Sequence, residues 1–524
     1  MYRGRNLGIH HYRPETGIVR EGKGQGCAKT KGEEIIMALK AYTQQGELWG
    51  PSPDAVIPSG HVVRAINEII ESLGLDRLNR RYEHTPGEPA YDVRMLCKVI
   101  LYAYSRGITS SREMGRQCEE NLAFRFLTGG QCADHRTLSG FRRKKRHLLR
   151  WVFVKTVRLA REMGIAKLGL VAIDSVKFQA DVRASSKQTA DGLRELLRQL
   201  DGYFGRLEEV DQREDQQFGE AQRGDELPEK LQSLQRRREK LAAALEKLQQ
   251  DQRRQREEGK SSIRRDVFPA DPEAVWVKKQ GRIIAGYSGQ VAADGKSQII
   301  VGVKATVEAD DSQQLNPMLE EVEKTAGQPA EQAVLDNGYY SDEAVLQASQ
   351  SPTQCFVPGE YMAAGLNNHA KSGQLTPYHS DRFGYDEERD YFICPEGKRL
   401  RFFKNHQRRG SPTVIYRGTE CKDCPACTQC TADKKGYRTI EVHREHKTLR
   451  EARELLQSEE GRKIYKRRKA IIEPVFGQWQ HNLGIRRLRL RGLMGFSIEL
   501  LLMAIAHNIK KIHRHKLKLV PCQV

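Results

Sequence analysis

The sequence predicts an α/β protein in which a mixed sheet with flanking helices follows an all-α N-terminal domain. Apolar residues recur at helical spacing from about residue 57 to residue 160. Short runs rich in β-branched residues then predict buried strands at 167–173, 283–307 and 333–335. Between the first two runs, residues 190–262 carry leucines at three- and four-residue spacing and almost no β-branched residues. This segment predicts a helical hairpin inserted into the α/β domain, either as an arm for dimerisation or DNA contact or as a passive insertion.

Composition limits the classes of function. The chain has 524 residues, which is too long for a single core, and a formal net charge of +20 that favours a polyanionic partner such as nucleic acid. No apolar run approaches 18 residues and the N-terminus lacks an apolar signal region, so we expect a cytosolic protein. The 11 cysteines favour a metal site over a disulfide framework, because their number is odd and four of them form one cluster.

The first third of the chain predicts a basic, helical module. Residues 1–45 are rich in Gly, Lys and Arg and are predicted to form a flexible leader. Residues 46–160 are predicted to form a helical DNA-binding domain, and its last helix carries Arg142 and Arg143 as candidate DNA contacts. A plain helical bundle fits the same pattern equally well.

Two acidic residues follow predicted strands. Asp174 comes directly after the run 167–173, and Asp336 follows 333–335, where Gly338 allows a tight turn. A strand end holds a carboxylate rigidly, as a metal ligand requires. Each acid taken alone is an ordinary turn residue.

A third acidic residue, Glu473, stands in a strongly basic stretch. A carboxylate among cations suits a divalent metal held beside a bound polyanion, although a solvated basic helix with an incidental Glu gives the same pattern. Pro474 predicts that Glu473 lies at a helix end or kink. The candidate phosphate-binding cations of this stretch are Lys469, Arg486 and Arg487.

Three acids on separate elements are what a two-metal phosphoryl-transfer site needs, with Mg²⁺ or Mn²⁺ as the expected ions. We therefore expect one catalytic domain formed by residues 161–377 and 439–515, followed by a tail at 516–524.

A cysteine-rich insert is predicted at residues 378–438. Thiolates at this spacing suit tetrahedral zinc, and iron–sulfur ligation is the alternative. We expect four of the following five residues to bind the metal: Cys394, Cys421, Cys424, Cys427 and Cys430.

From about residue 48 onwards the chain resembles a DDE transposase of a bacterial insertion sequence. IPSGHVVRAINEI and ADHRTLSGFRR resemble the N-terminal helical domain of these enzymes, and VAIDSVKFQA, AVLDNGYYSDE and YKRRKAIIEPVFGQWQ resemble their three acidic motifs. The cysteine cluster also resembles an insert found in such transposases. The resemblance implies a ribonuclease-H-like catalytic domain, with the cysteine-rich insert as a small zinc-ribbon-like unit.

The resemblance assigns roles to individual residues. It makes Asp174, Asp336 and Glu473 the catalytic, metal-binding acids, and it places Tyr465 and Arg468 on phosphate groups. The implied activity is cleavage of double-stranded DNA at terminal inverted repeats followed by attack of the freed 3′-OH on target DNA, carried out by a homodimer in a synaptic complex.

The sequence departs from the family pattern at Gln480, which stands where the family has lysine, and the spacing from Arg468 to Glu473 is one residue longer than usual. Two further functions therefore stay open. One is a DNA-binding relic without catalysis, and the other is a structure-specific nuclease of the same fold.

Overall fold

The computed structural model describes residues 52–79, 90–218, 229–259, 262–308, 310–359, 377–408 and 410–519. The predicted basic leader at 1–45 lies outside these residues. The predicted helical segment is confirmed, and two of its helices, α4 and α7, are capped by the aspartates that precede them. Asp92 accepts the backbone N–H of Arg94 at 2.6 Å, and Asp134 accepts that of Arg136 at the same distance. The helices are α1 Pro53–Val56, α2 Val62–Ser72, α3 Asp76–Asn79, α4 Val93–Ser105, α5 Ser111–Glu120, α6 Leu122–Thr128, α7 His135–Lys144 and α8 Arg146–Glu162.

A mixed sheet forms the centre of the next segment. Its strands are β1 Leu170–Gln179, β4 Val275–Lys279, β5 Arg282–Asp294, β6 Ile300–Thr306, β7 Gln332–Val334 and β8 Gln354–Phe356, with a separate short pair formed by β2 Gln188–Thr189 and β3 Asp266–Val267. The order is β4-β5-β1-β7-β8, and β6 also pairs with β5. Strand β1 is antiparallel to β5 and parallel to β7, which is in turn parallel to β8. Helices α11 Leu315–Ala326 and α12 Asp342–Ser349 connect its later strands.

The first strand is longer than the sequence predicted. Asp174 does not follow the strand but lies near its middle, because residues 175–179 continue to pair with 286–290 of β5. The apolar run ends at Ile173. After Ser175, buried and half-buried side chains alternate along the chain, as they do on a strand with one face towards the core.

The predicted hairpin is present as α9 Ala190–Phe218 and α10 Glu229–Glu257, and its predicted turn at 223–228 lies outside the described residues. The two helices form their own small core around Leu193, Leu241 and Leu248.

The cysteine-rich segment forms a second sheet. It is antiparallel, in the order β13-β12-β11-β10-β9, and it has its own apolar cluster that includes Phe392, Leu400 and Tyr416. Its elements are β9 Gly384–Asp386, β10 Tyr391–Ile393, β11 Arg399–Arg408, β12 Ser411–Gly418, α13 Cys427–Cys430 and β13 Thr439–His443. The sheet thus continues a few residues beyond the predicted boundary at 438.

Three helices close the chain: α14 His446–Gln457, α15 Glu459–Gly477 and α16 Gly492–Leu519. The predicted helix end at Glu473 is wrong, because α15 runs through Pro474 to Gly477 before a π-helical turn at Gln478–Asn482. Proline cannot donate a hydrogen bond to the carbonyl of Ala470, but Gln298 Nε2 donates to that oxygen at 3.0 Å. The residues 516–519 of the predicted tail belong to α16.

Helix α16 packs on α4, α8 and β6, so the helical segment and the mixed sheet share one hydrophobic core. Within the described ranges, residues Gly492–Lys518 form the one helix that is long and apolar enough to cross a membrane, with a mean hydropathy of 1.5. However, 78% of its most apolar window is buried inside the protein, as expected for a core helix.

Candidate active site

Sheet register brings Asp174 and Asp336 together. Ala172 of β1 is paired with Val334 of the parallel strand β7. Each acid lies two residues beyond that pair, so both stand at the same level of the sheet, Asp336 just past the end of β7 and Asp174 within β1. Asp336 begins a tight turn, in which Tyr339 donates its backbone N–H to the Asp336 carbonyl. The sequence-predicted pair of acids is therefore adjacent in space.

Arg468 of α15 reaches between the two carboxylates. Its Nη1 lies 2.7 Å from Asp174 Oδ2, and its Nη2 lies 3.2 Å from Asp336 Oδ1. The Arg468 side chain is only 8% exposed, whereas those of Asp174 and Asp336 are 21% and 38% exposed. Arg468 thus neutralises the acids from the protein side and leaves both of them open to solvent.

Burial dominates the electrostatics of Asp174. It raises the pKa of Asp174 to about 6, although Arg468 and the backbone N–H of Ser175 both favour the carboxylate. Burial also raises the pKa of Tyr465 to about 12, so its hydroxyl stays neutral beside Arg468.

A further acid, Asp311, joins this region from the loop after β6, and sequence reasoning assigned it no role. Its carboxylate accepts Ser175 Oγ at 2.7 Å, Lys177 Nζ at 3.3 Å and Gln290 Nε2 at 2.5 Å. The Tyr339 hydroxyl donates to the other end of the Gln290 amide. The available sequence signal was an acidic pair, 310–311, a few residues after the end of β6.

The structure does not join Glu473 to the aspartates. Glu473 is exposed near the end of α15, five residues after Arg468 and therefore about 140° further around the helix axis. No hydrogen bond or ion pair of its side chain occurs in the described part of the chain. It lies at the exposed edge of the helix whose buried face carries Arg468.

The residues predicted to contact DNA fall into two groups. Tyr465, Arg468 and Arg142 are buried, and Arg142 donates to Tyr104 Oη at 3.0 Å and to the Thr109 carbonyl at 2.8 Å. The prediction for Arg142 does not fit this burial, since its guanidinium is taken up by contacts within the helical segment. The exposed members are Arg143, Lys469, Arg486 and Arg487.

Two of the exposed arginines are held beside the end of β1. The backbone of Arg486 accepts the N–H of Gln179 at 3.2 Å, and Arg487 pairs with Asp181 at 3.0 Å. Gln480 is buried, and its Nε2 atom donates to the Lys177 carbonyl at 3.3 Å. At the position where the family has lysine, the side chain is therefore turned into the protein.

The five predicted zinc ligands border one small cavity at the end of the second sheet: Cys394, Cys421, Cys424, Cys427 and Cys430. The Cys394 sulfur accepts the backbone N–H of Lys398 at 3.2 Å, and Cys427 lies 3.8 Å from the Gly436 carbonyl. Burial raises the pKa of Cys430, and charge on the thiols of Cys421, Cys394 and Cys424 raises it further, whereas Arg438 lowers it.

No group of three or more Cys, His, Asp or Glu side chains in the described residues is arranged to hold a metal ion. The available donors nevertheless match the two predicted metals in kind. Asp174 and Asp336 offer carboxylate oxygens, the ligand type that magnesium prefers, on either side of Arg468, and the cavity in the second sheet is bordered by thiols, the ligand type that zinc prefers.

Comparison with protein-family models identifies two segments. Residues 393–513 match a family described as a transposase DDE domain, and residues 51–144 match a transposase domain (DUF772). The resemblance to DDE transposases of insertion sequences is confirmed. A role as a transposase, with the general DNA binding and nuclease-type activity of that family, is thereby supported. No curated protein matches the chain.

The match to the DDE domain includes Tyr465, Arg468 and Glu473, whereas Asp174 and Asp336 precede it. Their assignment to the transposase site depends on sheet register and on their contacts with Arg468.

Proposed function

We propose that this chain is an insertion-sequence transposase that binds terminal inverted repeats and catalyses metal-dependent cleavage and strand transfer of DNA. The observation that supports it best is the placement of Asp174 and Asp336 side by side, partly open to solvent, against a buried arginine from the matched DDE segment. The mixed sheet with flanking helices supports a ribonuclease-H-like catalytic domain.

Each residue has a distinct part in this proposal. Asp174 and Asp336 supply carboxylate oxygens from neighbouring strands, and Glu473 is the proposed third acid although it lies apart from them on the exposed side of α15. A divalent cation such as Mg²⁺, when bound, would stabilise negative charge that develops on the phosphate. Arg468 positions the two aspartates, and the buried Tyr465 packs beside its guanidinium.

The exposed cations provide the electrostatic part of DNA binding. Arg143 lies on α7 of the helical segment, whereas Lys469 follows Arg468 on α15, and Arg486 and Arg487 lie beside the end of β1. A duplex bound across both regions would bring its phosphates near Asp174 and Asp336, and a second protomer would supply the partner end in a synaptic homodimer.

The experiment uses a labelled duplex that carries one inverted repeat taken from the DNA flanking the gene, incubated with the protein in Mg²⁺ or in EDTA. We expect cleavage at the repeat end only with Mg²⁺. Asp174→Asn should abolish cleavage and leave end binding intact. Asp310→Asn, which removes an exposed carboxylate next to Asp311, is the matched control and should cleave normally. Cleavage by Asp174→Asn at the rate of the unaltered protein would refute the site.

One observation favours a second function, namely a DNA-binding relic without catalysis. Gln480 replaces the family lysine and its amide is engaged inside the protein. Binding of the repeat without Mg²⁺-dependent nicking would favour this function, and recovery of nicking by Gln480→Lys would show that the missing cation was the cause.

A further inference from the structure

Strand β11 in the second sheet has an open side. Strand β10 pairs only with residues 399–401 of β11, whereas β12 pairs with β11 as far as Arg408. Beyond Arg401, the described residues place no strand on the other side of β11. The ribbon formed by β11 and β12 therefore projects past the rest of the sheet.

Two aromatic residues are exposed where this ribbon begins. Phe402 is 50% exposed and Phe403 is 44% exposed. The pairing of β11 with β12 skips from Phe402 to Lys404, so Phe403 is the extra residue of a β-bulge. Adjacent half-exposed phenylalanines are costly for a protein surface unless something covers them, because each leaves a large apolar area in water.

The aromatic rings are surrounded by cations. The Arg417 guanidinium carbon lies 3.6 Å from the centre of the Phe403 ring, and Lys404 Nζ lies 5.9 Å from it. Residues 391–418 contain seven Lys or Arg residues and one acid, Glu396.

Four of these cations have no carboxylate partner in the described residues. Arg399, Arg401, Lys404 and Arg417 form no ion pair with a carboxylate of the described chain, whereas Arg408 lies 3.6 Å from Glu441. The Nε atom of Arg417 is buried and has no hydrogen-bond partner there.

We propose that this ribbon is a DNA-binding surface that holds phosphates on Arg399, Arg401, Lys404 and Arg417 and stacks unpaired bases on Phe402 and Phe403. Exposed aromatic rings with cations between them are the arrangement by which proteins bind single strands, because every base offers a flat face and every nucleotide a phosphate. The inference rests on the proposed function, since it names the DNA feature that the same protein binds: a single-stranded segment beside the duplex.

Edge protection is the simpler alternative. Charged residues on an open strand prevent pairing with other chains. This role accounts for Arg401 and Lys404, but not for Phe402 and Phe403, because exposed aromatic rings on an edge favour association.

The test measures binding of the full chain, by fluorescence anisotropy, to a labelled duplex with a single-stranded overhang and to a blunt duplex of the same sequence. The double variant Phe402→Ala/Phe403→Ala should lose at least about five-fold in affinity for the overhang DNA for each stacked base, with little change for the blunt duplex. Tyr203→Ala/Ile283→Ala, which removes two other exposed apolar side chains, should bind both as the unaltered protein does.

A second variant, Arg401→Gln/Lys404→Gln, should weaken binding to the overhang DNA. It should also reduce the slope of log affinity against log salt by roughly one to two, as expected for the loss of two phosphate contacts. Because all four altered side chains are exposed or half-exposed, the variants should melt within a few degrees of the unaltered protein.

The outcomes separate this inference from the proposed function. If the unaltered protein binds neither DNA, both fail. If it binds and the phenylalanine variant binds overhang DNA equally well, the ribbon inference alone is overturned. The inference is also overturned if Arg401→Gln/Lys404→Gln aggregates while its monomer binds overhang DNA as tightly as the unaltered protein does. That result would favour edge protection.

Discussion

Replacement of Arg468 by methionine is the most direct test of what this residue does. The guanidinium contacts both Asp174 and Asp336 and is almost fully buried. Loss of one partner from a buried ion pair costs about 3–5 kcal/mol, because a charge is left uncompensated. Asp336 is 38% exposed and partly screened by water, so we expect Arg468→Met to lower the free energy of unfolding by about 2–4 kcal/mol at neutral pH.

The assay is thermal unfolding followed by circular dichroism. At about 2–4 °C per kcal/mol for a domain of this size, the melting temperature should fall by roughly 5–15 °C. Arg467→Met is the matched control, because Arg467 is exposed on the same helix and makes only a 3.5 Å contact with the Gly295 carbonyl. It should melt within a few degrees of the unaltered protein.

A double-mutant cycle decides whether the loss comes from the carboxylates. In an Asp174→Asn/Asp336→Asn background, Arg468→Met should cost less than about 1 kcal/mol beyond its packing, because no buried carboxylate is left without its partner. Addition of Mg²⁺ should raise the melting temperature of Arg468→Met more than that of the unaltered protein. An equal loss in both backgrounds would refute the idea that Arg468 acts as the counter-ion of the acids.

Three further predictions concern the rest of the fold. Burial lowers the pKa of His507 to about 3 from an ordinary value of 6.5, so the unfolded chain binds the proton first as pH falls. Its contribution to stability should be complete above pH 6.5 and decline towards pH 3 by up to about 1.4 kcal/mol per pH unit. In urea unfolding, His507→Gln should reduce the dependence of the free energy of unfolding on pH in this range. Glu499 Oε1 accepts the backbone N–H groups of Arg489 and Leu490, each at 2.6 Å. In urea unfolding, Glu499→Leu should therefore lower the free energy of unfolding by about 2–5 kcal/mol. Glu499→Gln keeps an acceptor oxygen and should lower it much less. Equal losses for the two variants would show that these hydrogen bonds do not matter. Removal of zinc by a chelator should melt the 394–430 segment, and an unchanged melt with no zinc in elemental analysis would rule out the structural metal.

Local chemistry in the sequence determined much of the fold. The helical periodicity of the first segment, its capping aspartates and the leucine spacing of the hairpin each correspond to observed helices. These features depend on neighbouring residues, so they are readable without tertiary contacts. The position of Asp336 after a short strand was also predictable, because an apolar run precedes it and a glycine-containing turn follows it.

The arrangement of the candidate site required the tertiary structure. Asp174 lies within a strand rather than after it, because its neighbours pair with β5, a strand more than a hundred residues away. Asp311 approaches Ser175 from a distant loop, and a lone acidic pair in sequence did not reveal that approach.

The sequence by itself determined which residue types are available for the chemistry: acids after β-branched runs, cations around Glu473 and clustered cysteines. Only the tertiary structure decided which of those charges face each other. Arg468, a predicted phosphate contact, lies buried between Asp174 and Asp336, and Arg142 is enclosed by α4 and α5 rather than exposed. The physical reason is that the role of a charged side chain depends on its nearest partner and on its access to water. Both are set by the packing of elements that are far apart in the chain.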